Sequence, residues 1–144
     1  MNSERKHTNE RKIVCRAHHR LRAAGVVVHC EVPLLGRSVD LVMKRGRHII
    51  TIEFKLHDWR RAIKQARDHR LAADFAYICM PRRQATQALQ DALREDGIGL
   101  FYYIAEGRWP FELAVKARRS QEIWSVARRN LLSYLRSTSP GENV

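Results

Sequence analysis

The sequence predicts an α/β protein with a mixed central sheet flanked by helices, in the order α-β-β-β-α-β-α-β-(β)-α. Three observations carry this. Residues 39–44 and 48–55 are rich in Val, Ile, Leu, Thr and Phe and flank a short turn containing Gly46, which is a hairpin pattern. Apolar residues recur at helical spacing in four separate stretches. Two compact apolar runs, FAYICM and IGLFYYIA, alternate with two of those helices, as parallel strands joined by crossover helices do.

At 144 residues the chain is long enough for one domain with a real core, placed at residues 8–136 between a mobile N-terminus (1–7) and a disordered tail (137–144). The formal net charge of +12 is spread along the chain rather than gathered in a tail, so a folded body with a basic surface is expected. Such a field attracts polyanions, nucleic acid above all. Three cysteines, Cys15, Cys30 and Cys79, show no zinc or redox spacing and read as free thiols in a reducing cytoplasm. The first twelve residues are polar, which argues against a signal peptide. No apolar run approaches the roughly 20 residues of a membrane span, so no membrane partner is expected.

In chain order, a first helix is expected from about Thr8 to Ala24, with Ile13, Val14, Ala17 and Leu21 inward and Gly25 as its stop. Its other face holds Arg11, Lys12, Arg16, His19, Arg20 and Arg22, a solvated face or a phosphate track. Val26–Val32 is a strand, and Glu31 on it is an exposed acid or an outer metal ligand. Leu56-His57 turns the chain into a helix from Trp59 to about Ala73, with Asp58 as a side-chain N-cap. FAYICM pairs parallel to the strand holding Glu53. A helix over 82–96 ends at Gly97, IGLFYYIA follows, and residues 109–117 form a further edge strand. Tyr102 and Tyr103 either stack on bases or pack. Ser120 caps a last helix to about Arg136, with Trp124 and Leu132 off its apolar stripe, available to a second subunit or to the edge strand. His57 and His69 read as surface or helix-end residues.

The hairpin has a chemical consequence. A two-residue loop, Gly46-Arg47, with Gly first as a type II′ turn requires, sets Arg45 opposite His48. Followed outward, the ladder brings Asp40 opposite Glu53, with Cβ atoms roughly 4.5–5.5 Å apart. Lys55 shares the face of Glu53, and Ile50, Ile52 and Phe54 take the other. Two opposed acids repel, and a divalent cation removes the conflict. The alternative is a solvated strand face of alternating charge.

Asp40 followed after a hairpin by Glu53-Phe54-Lys55 resembles the motif of the PD-(D/E)XK nuclease superfamily, which includes restriction endonucleases, archaeal Holliday junction resolvases and RecB-type nucleases. The E-x-K half matches fully. Val39 stands where proline often sits, so the first half rests on Asp40 alone. The resemblance covers about residues 8–105 and implies a restriction-endonuclease-like fold. It further implies a DNA-hydrolysing enzyme using Mg²⁺, or Mn²⁺, held by Asp40, Glu53 and the Phe54 carbonyl, with Lys55 positioning or activating water. Glu10 resembles the first-helix glutamate of the resolvases, though a first-turn acid favoured by the helix dipole explains it equally well. Gln65 resembles the glutamine that many members place beside the metal. The alternative is a solvent-facing helix residue.

DNA contacts are expected at Arg11, Lys12, Arg16, Arg37, Arg61 and Lys64. The length leaves no separate recognition domain, so strong sequence specificity needs an accessory protein, and members of this kind are often homodimers. Two alternatives differ in class: a non-catalytic nucleic-acid-binding module on the same fold, and a basic structural subunit that neutralises RNA.

Overall fold

The computed structural model describes residues 2–139, with side chains from residue 9 onward. Helix α1 (Asn2–Ala23) leads to β1 (Val27–Leu34), β2 (Arg37–Arg45) and β3 (His48–Phe54). Helix α2 (Trp59–His69), β4 (Phe75–Met80), α3 (Gln87–Asp96), β5 (Gly99–Tyr103), β6 (Phe111–Val115) and α4 (Ser125–Ser137) follow. The six strands lie side by side in sequence order. β1, β2 and β3 pair antiparallel, β3, β4 and β5 parallel, and β6 closes the far edge antiparallel to β5. The sheet is therefore mixed.

Alternation along the central strands builds a three-layer body. On one face Val14, Ala17 and Leu21 of α1 pack on Leu41, Met43, Ile52, Phe54, Tyr77 and Cys79. On the other, Ala62, Ile63 and Ala66 of α2 and Leu89 and Leu93 of α3 pack on Ala76, Ile78, Met80 and Leu100. A third cluster joins Ala127, Leu131 and Leu135 of α4 to Val32, Leu34, Val39, Val42 and Ile49. Each fully buried Leu or Ile contributes roughly 1.5–3 kcal/mol, so these clusters anchor every helix to the sheet.

Several elements depart from expectation. α1 begins at Asn2, so residues 2–7, expected to be mobile, continue the helix backbone; residues 140–144 of the expected tail lie outside the described residues. α2 stops at His69, and residues 70–74 turn back so that Asp74 accepts the Ile49 N–H at 2.7 Å. Asp58 precedes α2 in the left-handed conformation (φ 55°) with no side-chain cap bond. The expected helix over 82–96 is a short 3₁₀ turn, Arg82–Gln84, then α3, whose N-cap is Thr86 accepting the Leu89 N–H at 3.1 Å. Ser120 does not cap α4. Its hydroxyl donates to the Arg70 carbonyl, and α4 starts five residues later behind Trp124.

Candidate active site

The β2–β3 turn sets the register of the site. Gly46 has φ +60°, as the first residue of a type II′ loop requires, and Arg45 pairs with His48. The ladder runs outward to Leu41 opposite Ile52. At the next position Asp40 turns its carboxylate into the ladder: Oδ2 accepts the Phe54 N–H at 2.8 Å. The Asp40 and Glu53 carboxyls are close enough that each shifts the ionisation of the other.

On its other side Asp40 stands between two β1–β2 pairs, Cys30 with Leu41 and Val32 with Val39, and the partner position on β1 is Glu31. Cys30 and Leu41 pack under α1, whereas Val32 and Val39 pack with α4. The alternation slips here on both strands, and Glu31 takes a left-handed φ of 50°. Such an irregularity re-aims a side chain, and it does so at Asp40.

Glu53 is buried, 4 % exposed, and its Oε2 has no partner. Burial, then the neighbouring Asp40 charge, pushes its pKa up to about 9. Burial also raises Asp40, against the Phe54 N–H and the Lys55 charge, which favour its ionised form. Lys55 lowers both carboxyls through its field. The pair as it stands therefore holds a proton at neutral pH.

Helix α1 brings Glu10 to the same place. Its Oε1 accepts the Leu56 N–H at 3.0 Å, tying α1 to the segment that follows Lys55. Glu10, Arg11, Val14, Glu31 and Asp40 line an open cavity of about 210 Å³. Glu10 and Lys55 meet again around a small void lined also by Tyr103, whose hydroxyl is buried and unpartnered. Tyr103 packs against the α1 side of the core, the packing outcome expected of it, and also lines the void beside Lys55, a placement with no counterpart in the sequence pattern.

The other sequence candidates divide. Gln65 sits half-buried on α2 with its Oε1 buried and unpartnered; among the described residues no hydrogen bond joins it to the acids. Arg11, Lys12 and Arg16 are exposed on α1, Arg37 at the start of β2, and Arg61 and Lys64 on α2. Arg11 reaches Glu31 at 3.4 Å, which makes Glu31 an exposed acid on the rim. Arg20, on the basic face of α1, is committed elsewhere: its guanidinium donates to the carbonyls of Ile104, Gly107 and Trp109 and pins the β5–β6 loop. His69 is a helix-end residue but a buried one, and burial lowers its pKa to about 4.

The oxygens gathered here that could meet an ion are those of Asp40 and the unpartnered Glu53 Oε2, both hard donors. Among the described residues no three His, Cys, Asp or Glu side chains form a group able to hold a metal. No described helix is long and apolar enough to cross a membrane.

No family model matches the chain, and no curated protein matches it. Solved structures do. The SPO1766 protein of unknown function from Silicibacter pomeroyi superposes with a TM-score of 0.60 at 20% identity, over 86% of this chain and 82% of that one. An XisH family protein from Nostoc punctiforme superposes with a TM-score of 0.53 at 16% identity, over 72% of this chain and 97% of that one. At these identities the likeness is one of fold.

Proposed function

We propose that the chain is a metal-dependent nuclease of the PD-(D/E)XK type that hydrolyses DNA phosphodiester bonds, directed by backbone or structure more than by sequence. One observation carries this reading: Asp40 and Glu53 are desolvated against each other while Glu53 Oε2 has no partner. Two like acids buried together destabilise the fold unless a cation joins them. Asp40, Glu53 and the Phe54 carbonyl are the residues that would hold Mg²⁺ or Mn²⁺. When bound, the ion supplies an acidified water and offsets charge on the scissile phosphate. Lys55 orients that water or stabilises developing charge, and the spare Oε1 of Gln65 accepts a proton-bearing group nearby. Glu10 holds the segment after Lys55 in place through Leu56. The exposed arginines and lysines of α1 and α2 position the phosphate backbone without reading bases. A cytoplasmic location, a homodimer and an accessory protein for specificity belong to the same reading.

The test incubates branched, single-stranded and duplex DNA with the wild type and Glu53→Ala, in Mg²⁺ or EDTA. Cutting that needs metal and vanishes in the variant supports the enzyme. The alternative reading is a non-catalytic binding module on the same fold. Equal binding by both proteins with no cutting in any metal selects it.

A further inference from the structure

A cavity of about 580 Å³ lies away from the acid pair, lined by Arg67, Arg70, Arg118 and Arg119 together with Glu95, Asp96 and Glu122. We propose that this arginine basin is a second phosphate site, which anchors the strand whose scissile bond lies at Asp40 and Glu53. The proposal rests on the nuclease reading for the word scissile and on the basin alone for the phosphate.

Two observations point to an anion. Arg70 lines the wall and donates from one amino group to the Asp96 carbonyl at 2.6 Å. Gly97, with φ +71°, lets two like charges approach. A Cβ there would stand 3.0 Å from the Arg118 Nε and 3.3 Å from an Arg70 amino nitrogen, so both guanidiniums lie over one glycine. The local acids do not use up the donors. The Asp96 carboxylate is taken by Arg67 at 2.6 Å, Arg118 gives one nitrogen to the Glu95 carbonyl, and Arg119 has only a loose 3.8 Å contact with Asp74. Glu95 and Glu122 are exposed, and among the described residues no ion pair joins either to Arg118 or Arg119. Forked donors of this kind match phosphate oxygens.

Placement supplies the substrate. Lys55 follows the C-terminal end of β3 and α2 starts four residues later, whereas the basin lies at the C-terminal end of α2, beside the start of β5. The 11 residues of α2 span about 16 Å. Along that span Arg60, Arg61, Lys64 and Arg67 are all exposed and form a basic track from one site to the other. At about 3.4 Å per nucleotide on each strand, roughly five phosphates cover the distance. A backbone phosphate is therefore the proposed source of the anion. A free phosphoanion is the competing source.

The test uses the full chain and Arg118→Ala/Arg119→Ala, whose side chains are exposed. The melting temperature is followed in inorganic pyrophosphate at constant ionic strength, with circular dichroism as a check of folding. Binding of oligonucleotides of about 4 and about 20 nucleotides is measured in EDTA, so that no cutting is needed. The wild type should be stabilised saturably by pyrophosphate and the variant much less. The variant should bind the long strand about tenfold more weakly, with a salt slope shallower by one to two, and the short strand unchanged. An absent pyrophosphate effect, or an equal effect on both proteins, overturns the site. Pyrophosphate stabilisation with unchanged long-strand affinity overturns the strand and leaves a free phosphoanion. Should the variant not fold, the single Arg119→Ala variant is read in its place. A chain that binds as described but never cuts refutes the nuclease reading and leaves the basin standing.

Discussion

Asp40 Oδ2 accepts the backbone N–H of Phe54 at 2.8 Å, so one carboxylate both closes the sheet ladder and faces the buried Glu53. That bond consumes one of its oxygens and leaves the other for chemistry. It also couples the shape of the hairpin to the charge state of the site.

The Glu53 pKa near 9 has a sign that can be measured. A carboxyl raised above its ordinary 4.5 stays protonated in the fold while it ionises in the unfolded chain. Its contribution to stability is therefore full below pH 4.5, falls as pH rises from about 4.5 to 9, and levels off above. In EDTA, the urea midpoint of the wild type relative to Glu53→Gln should decline across that window. A constant difference between the two proteins would refute the assignment.

Metal should reverse that loss. Divalent ions need ionised carboxylates, so millimolar Mg²⁺ should raise the wild-type melting temperature more at pH 8 than at pH 6, and should release protons on binding. Asp40→Asn and Glu53→Gln should lose the response. Stabilisation by Mg²⁺ that persists in both variants would place the ion elsewhere.

Glu10 separates structure from chemistry. Glu10→Gln keeps an acceptor for the Leu56 N–H, while Glu10→Ala removes it and should cost about 0.5–1.5 kcal/mol. If Glu10 is a third acid, the Gln variant should lose cutting rate at unchanged stability. Full activity in Glu10→Gln confines it to tethering the segment.

Lys55 acts on both acids through its field. Lys55→Met should lower cutting by about 10²-fold or more while leaving Mg²⁺ stabilisation largely intact. Lost Mg²⁺ stabilisation would instead make it part of the ion's own binding site.

His69 supplies an acid limit. Burial holds it neutral in the fold, with a pKa of about 4, against 6.5 in the ordinary state. The stability it contributes is present above pH 6.5 and is lost as pH falls towards 4, at up to about 1.4 kcal/mol per pH unit. Chemical denaturation of wild type and His69→Gln at pH 7.5, 6 and 4.5 reads this directly. An equal acid response in both would show that the imidazole is not the group responsible.

The hairpin was legible because its information is local. One glycine sets the loop, the loop sets Arg45 against His48, and alternation carries the register as far as Leu41 opposite Ile52. The apolar run FAYICM likewise announced a buried strand, which pairs parallel to β3. Asp58 and Ser120 misled for the opposite reason. Both have capping chemistry, yet the chain arrives at α2 in a left-handed conformation, and Ser120 finds the Arg70 carbonyl 50 residues away. Tyr102 and Tyr103 were ambiguous in sequence; both pack against the buried clusters, with the Arg82 guanidinium over the Tyr102 ring and Tyr103 lining the void beside Lys55.

From residue order alone came the strand–turn–strand–helix unit, the hairpin register from Arg45–His48 to Leu41–Ile52, and the excess of positive charge. These depend on period, turn type and composition, which short segments encode. Folding alone decided how deeply Glu53 is desolvated, that Arg20 serves the β5–β6 loop, and that arginines from two distant segments meet over Gly97. Burial and long-range convergence are sums over neighbours contributed by the whole chain, and no local pattern contains them.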